Sequence, residues 1–166
     1  AFPLIVYNIP GRTGSKIEAT TLARLAELEH VVGLKEATGS IDECMEVIRR
    51  CGDALPLYAG DDALTLPVLA VGGVGVISVI GNCAPQRWAA AVDAARRGDW
   101  AEARHRHYAL LPLMRALFQE TNPIPVKAAM AMLGFCRDEL RLPLLPMSEA
   151  PRAQLRAALQ EAGLLR

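Results

Sequence analysis

Charge of one sign is not in excess in this 166-residue chain: 18 Lys plus Arg stand against 18 Asp plus Glu, and aromatic residues make up only 5%. The absence of a basic excess or a long basic cluster leaves no electrostatic footprint for nucleic acid or an anionic membrane surface. Cysteine is sparse, and Cys44, Cys51, Cys83 and Cys136 include no C-x-x-C pair, so neither a zinc site nor a disulfide scaffold is expected. They read as reduced core residues of a cytoplasmic protein. No low-complexity segment or 20-to-50-residue repeat is present. The apolar opening, Ala1 to Tyr7, lacks the basic region and small-residue cleavage site of a signal peptide. What the chain does have is apolar residues, 52% of the total, enough for a packed globular core rather than disorder.

One charge-free run, Ala63 to Gln86, exceeds the roughly 20 residues that span a bilayer. Pro67, Gly72, Gly73 and Gly75 cut it into a short helix, a turn and a β-rich run, and the basic flanks of a span are missing on one side. No membrane segment is expected.

The dominant pattern alternates short apolar runs with helical stretches, the signature of βα units and a parallel sheet. Strands are expected at Leu4–Asn8, Val31–Glu36, Leu55–Ala59 and Val74–Ile80. Helices are expected at Glu18–Glu29, Ile41–Cys51 and Ala63–Val71, the last with an Asp cap from Gly60-Asp61-Asp62. Helices alone then close the chain: Pro85–Arg97, Trp100–Phe118, Ile124–Leu133 and Ser148–Ala162. Pro85 suits a first turn, Gly98 ends one helix before Asp99 caps the next, and Gly163 ends the last. Four parallel strands cannot close a barrel, which needs eight βα units and about 250 residues. The chain is either a small open sheet or half of a barrel.

Lys35 is the first residue that could carry chemistry. Period-2 alternation places Val31, Gly33 and Lys35 on one strand face, with Lys35 near the carboxyl end, where parallel barrels hold their active sites. A free lysine, with a pKa near 10.4, is almost wholly protonated at neutral pH, so attack on a carbonyl requires an apolar setting such as this strand offers. A lysine snorkelling at a sheet edge or paired with Glu36 accounts for the local pattern equally well. Tyr7 and Arg12, in the run Tyr7-Asn8-Ile9-Pro10-Gly11-Arg12-Thr13-Gly14, would face the same end, as an acid/base phenol and a bidentate fork for a carboxylate. Gly60 would let a substrate approach the backbone. Gly72-Gly73-Val74-Gly75 is no dinucleotide fingerprint, because Ser78 replaces the third glycine and the run precedes its strand. His105 and His107 are two apart and cannot face each other on a helix, and His30 reads as a helix-end residue. Lys127 reads as structural.

Taken together, Tyr7-Asn8-Ile9-Pro10, Arg12-Thr13-Gly14, Gly33-Leu34-Lys35-Glu36-Ala37-Thr38-Gly39, Gly60-Asp61-Asp62, Gly73-Val74-Gly75-Val76-Ile77-Ser78 and Asn122-Pro123-Ile124-Pro125-Val126-Lys127 resemble the dihydrodipicolinate synthase family of the class I aldolase and N-acetylneuraminate lyase superfamily. The resemblance implies a (β/α)8 barrel with a C-terminal helical domain. Residues 1–97 would be the barrel's last four βα units and residues 98–166 the helical domain. It implies that Lys35 forms a Schiff base with pyruvate, that Tyr7 relays protons, and that Arg12 positions the carboxylate of L-aspartate 4-semialdehyde. Gly60 and the backbone of Ile77 would line the pyruvate site. The implied reaction is an aldol-type condensation and cyclisation in lysine biosynthesis through diaminopimelate. It needs no cofactor and no metal, and it belongs to a cytoplasmic homotetramer. The sialic-acid lyase is less similar, since it lacks an arginine at the Arg12 position. Other pyruvate-dependent aldolases and dehydratases share the pattern. The resemblance starts at the family's fifth strand, so the Gly-Thr-Thr-Gly-Glu loop and a second tyrosine, contributed by a neighbouring subunit, are expected outside this chain. By itself the chain is expected to be inactive or weakly active, or to be a non-catalytic structural remnant.

Overall fold

The computed structural model describes residues 2–166, which divide into two compact units that part between residues 78 and 79. In the first unit four strands, β1 (Leu4–Asn8), β2 (Val31–Glu36), β3 (Leu57–Ala59) and β4 (Gly75–Val76), form one parallel sheet in the order β1-β2-β3-β4. The helical segments between them are α1 (Pro10–Thr13) and α2 (Ala19–Leu25), then α3 (Ile41–Cys51), then α4 (Thr65–Ala70). Sequential parallel strands joined by helical crossovers are the expected βα rhythm.

The core of this unit lies between the sheet and its helices. Val31, Leu34, Leu57 and Ala59 pack with Leu22 of α2, Cys44 and Val47 of α3 and Val68 of α4. A buried leucine such as Leu22 or Leu34 contributes about 1.5–3 kcal/mol. Alternation leaves Ile5, Tyr7, Gly33, Lys35, Tyr58 and Gly75 for the other face. Val31 departs from the expected alternation. Leu4 pairs with Val31 but Ile5 pairs with Gly33, so Val32 is an extra residue, and the bulge turns Val31 to the helix side with Leu34.

Several element ends also differ from the sequence reading. α2 stops at Leu25 because its last turn tightens, Glu27 and Leu28 donating to carbonyls three residues back. Leu28 is therefore exposed, and His30 lies in the turn before β2 rather than at a helix end. β4 is two residues long instead of seven, and Ile80–Asn82 is a 3-10 turn. β3 starts at Leu57. α4 begins at Thr65, and Asp61 does not cap it; the Asp61 carboxylate accepts from Ala63 N–H at 2.8 Å in a local turn. Cys136 is exposed rather than a core residue. Among the described residues no helix is long and apolar enough to cross a membrane.

The second unit is helical: α5 (Pro85–Arg96), α6 (Trp100–Ala116), α7 (Ile124–Met132) and α8 (Glu149–Glu161). Ala91, Ala94, Ala95 and Ala103 are buried, and such small side chains let α5 and α6 pack closely. Gly98 has φ +83°, and Asp99 accepts from Glu102 N–H at 3.1 Å, so the stop and cap between these helices fall where the sequence puts them.

Candidate active site

β1, β2, β3 and β4 place one residue each in a row across the sheet: Tyr7 pairs with Lys35, Lys35 with Tyr58, and Tyr58 with Gly75. Paired residues in neighbouring strands share a face, so the row gathers two phenols and an amine on the face opposite the helices. The Lys35 Nζ lies 4.2 Å from the centroid of the Tyr7 ring, a cation–π distance. Lys35 is half-buried and Tyr7 is 43% exposed. The ring of Tyr58 fills the space that glycine leaves on both sides. A Cβ at Gly33 would lie 3.3 Å from Tyr58 Cε2, and one at Gly75 would lie 3.3 Å from Tyr58 Cδ1. This ring forms the floor beside Lys35.

The other sequence-derived residues sit at the carboxyl end of the same sheet. Arg12 is exposed on α1, the single helical turn that leaves β1. Gly60 follows β3, and Ile77 follows β4, its N–H donating to Ala59 O at 3.0 Å. Gly60 has a structural reason to be glycine. Its N–H donates to Glu36 O at 2.6 Å, and a Cβ there would come within 2.6 Å of Ala37 Cβ. Lys127 lies elsewhere, lining a cleft of about 610 Å³ in the second unit with Pro123, Arg137 and Arg141.

Glu36 does not pair with Lys35. It points to the helix side, where its Oε2 accepts from Asn8 Nδ2 at 2.9 Å and its Oε1 from Thr38 N–H at 2.7 Å. Asn8 in turn accepts from Ile17 N–H at 3.0 Å and donates to Ile17 O at 3.2 Å. Burial, with the Glu36 charge second, pushes the nearby Cys44 thiol up to about 11. The sequence reading missed Tyr58 and the Asn8–Glu36 pair. Alternation along Leu57-Tyr58-Ala59 carried the signal for Tyr58, whereas only strand register reveals the pair. Among the described residues no group of three His, Cys, Asp or Glu could hold a metal ion.

A parallel β/α half-sheet with helices on one face, and a lysine beside a tyrosine on the other, defines the class as a barrel-type α/β protein bearing a candidate carbonyl-directed lysine. The family model described as the dihydrodipicolinate synthetase family matches residues 1–162, and the chain belongs to that family. A 4-hydroxy-tetrahydrodipicolinate synthase of Syntrophobacter fumaroxidans is 52% identical over 164 residues, which are 98% of this chain and 56% of that protein. The dihydrodipicolinate synthase of Thermotoga maritima superposes with a TM-score of 0.95 at 44% identity, covering 98% of this chain and 57% of that one. A chloride-inhibited dihydrodipicolinate synthase of Acinetobacter baumannii, solved complexed with pyruvate, gives a TM-score of 0.94 at 38% identity, over 98% of this chain and 56% of that one. The chain thus spans a little over half the length of these relatives, and its fold is part of their TIM barrel together with the helices that follow.

Proposed function

We propose that Lys35 is the amine that condenses with the keto carbon of pyruvate, in a 4-hydroxy-tetrahydrodipicolinate synthase of which this chain supplies the second barrel half and the helical domain. The observation that carries this is the Lys35 Nζ held 4.2 Å from the Tyr7 ring centroid, at the carboxyl end of a parallel sheet in a chain of this family. The neutral amine attacks the keto carbon, and the carbonyl oxygen takes up a proton. Tyr7 relays the proton with which that oxygen leaves as water, giving the Schiff base. Loss of a methyl proton gives an enamine, whose carbon adds to the aldehyde of L-aspartate 4-semialdehyde. The semialdehyde's own amine then displaces Lys35 as the ring closes. Arg12 offers its guanidinium fork to the semialdehyde carboxylate, while Gly60 and the Ile77 backbone border the pyruvate. On this reading residues 1–97 complete a barrel with the half that the relatives carry, residues 98–166 are the helical domain, and the assembly is a cytoplasmic homotetramer of lysine biosynthesis.

The alternative is a structural subunit without turnover, which keeps the fold of the family but forms no Schiff base. Borohydride reduction in the presence of pyruvate, followed by intact mass and peptide mapping, separates the two. The enzyme reading expects an adduct on the peptide containing Lys35. A folded chain combined with the first barrel half of a relative that still yields none sinks it and leaves the structural reading.

A further inference from the structure

Behind Tyr7 and Lys35, on the opposite face of the same two strands, lies a polar pair that the reaction does not touch. Asn8 and Glu36 are next in sequence to Tyr7 and Lys35, are partners in the β1–β2 register, and are 3% and 4% exposed. We propose that they are a positioning pair, which holds Tyr7 and Lys35 side by side and ties to them the two loops that frame the site. The proposal rests on the Schiff-base reading for its purpose but not for its geometry.

The physical need comes from β1. Its register with β2 already slips by one residue at the other end, where the bulge at Val32 falls. A slip of one residue at Tyr7 would carry its phenol to the helix side and leave Lys35 without its neighbour. Backbone bonds alone do not forbid this, since every register satisfies them. A side-chain bond between Asn8 and Glu36 does, because only the observed register brings these two groups together inside the core.

The hydrogen-bond inventory specifies the two residue types. Ile17 N–H must find an acceptor and Ile17 O is met by a donor, which fixes the Asn8 amide: Oδ1 toward Ile17 N–H, and Nδ2 shared between Ile17 O and Glu36. Glu36 then receives a donor on each oxygen, from Asn8 and from Thr38 N–H. A carboxylate alone fits that position, since a glutamine in either orientation would set its NH2 against one of these donors. Through Ile17 the pair closes the loop that carries Arg12, and through Thr38 it anchors the segment after Lys35.

Three variants test the pair: Glu36→Gln, Asn8→Asp and the double swap Asn8→Asp/Glu36→Gln, in which the amide donates to the carboxylate and the mutual bond returns. Two readouts are needed. One is the rate of borohydride-trapped pyruvate adduct. The other is the pH profile of Lys35 acetylation, read by peptide mass against Lys16 and Lys127, the remaining lysines of the chain. Each single variant is expected to slow trapping by about tenfold or more and to displace the Lys35 acetylation profile; the swap restores the mutual bond but sets a carboxylate oxygen against Ile17 O, so it recovers part of both losses and lies above Asn8→Asp. Folded singles that match the parent in both readouts overturn the proposal, as does a swap no better than the worse single. If Asn8→Asp does not fold, the swap decides: a chain that folds again supports the pair, and one that does not removes it. If the parent combined with that first half takes up no pyruvate while the Lys35 profile still moves in the singles and moves back in the swap, the positioning pair stands and the Schiff-base reading falls.

Discussion

A methyl group at Gly60 would sit 2.6 Å from Ala37 Cβ and 2.8 Å from Glu36 O, so this residue is glycine because the β3 and β2 ends touch there, whatever else approaches it. Gly60→Ala is therefore expected to lower stability by about 1–3 kcal/mol in urea titration, whereas Gly11→Ala, with nothing within 4 Å of the new group, raises it by about 0.5 kcal/mol. Equal effects would refute the close approach. Tyr7 allows a separate test of chemistry. Tyr7→Phe keeps the ring beside Lys35 and removes the proton carrier, so trapping with pyruvate is expected to slow about a hundredfold while acetylation of Lys35 stays unchanged. Lys35 and Tyr7 were legible in the sequence because each sits near the end of a short apolar run next to a turn. Val31 was misplaced, because a one-residue bulge leaves no mark in an all-apolar stretch such as Val31-Val32.

Among the elements, α3 agrees with its sequence residue for residue. Ser40 accepts from Glu43 N–H at 3.2 Å, Asp42 and Glu43 occupy the first turn, and Arg49 and Arg50 the last, so cap and dipole fix both ends. Ser40→Ala is expected to cost about 1 kcal/mol, read as a lower urea midpoint with unchanged slope. An unaffected midpoint would show that packing of Cys44 and Val47 holds the helix without its cap. At α2 the sequence misleads. α2 has no side-chain cap bond at Glu18, and its periodic leucines continue past the point where the turn tightens. β4 shows the opposite failure. The run Val74 to Ile80 is β-rich throughout, but among the described residues its register partners are Tyr58 and Ala59 at the end of β3, and pairing with β3 stops where β3 does. Strand length is set by the partner strand, which a local pattern does not contain.

At the scale of the whole chain, the four βα units and the helices after them were readable from rhythm alone, while the division at residue 78 was not, since nothing in the composition changes there. The pH dependence of stability is likewise a property of the packed unit rather than of any one segment. Cys44 faces the sheet from α3, in the cluster with Leu34 and Val47, and burial together with Glu36 pushes its thiol from 9.0 to about 11. The folded state thus holds this proton more tightly than the unfolded chain does. The resulting stabilisation is fully present below pH 9, falls as the pH climbs toward 11, and is lost above it. Its size is about 3 kcal/mol, large against the net stability of a small domain. Urea midpoints measured from pH 8 to pH 11 should fall for the parent chain, and Cys44→Ala should reduce that slope, leaving the part that Cys51 contributes because burial pushes its thiol up as well, while lowering the midpoint at pH 8 through the lost side chain. A slope undiminished in Cys44→Ala would assign the alkaline loss to other groups and would mean that the thiol reaches water in the folded unit.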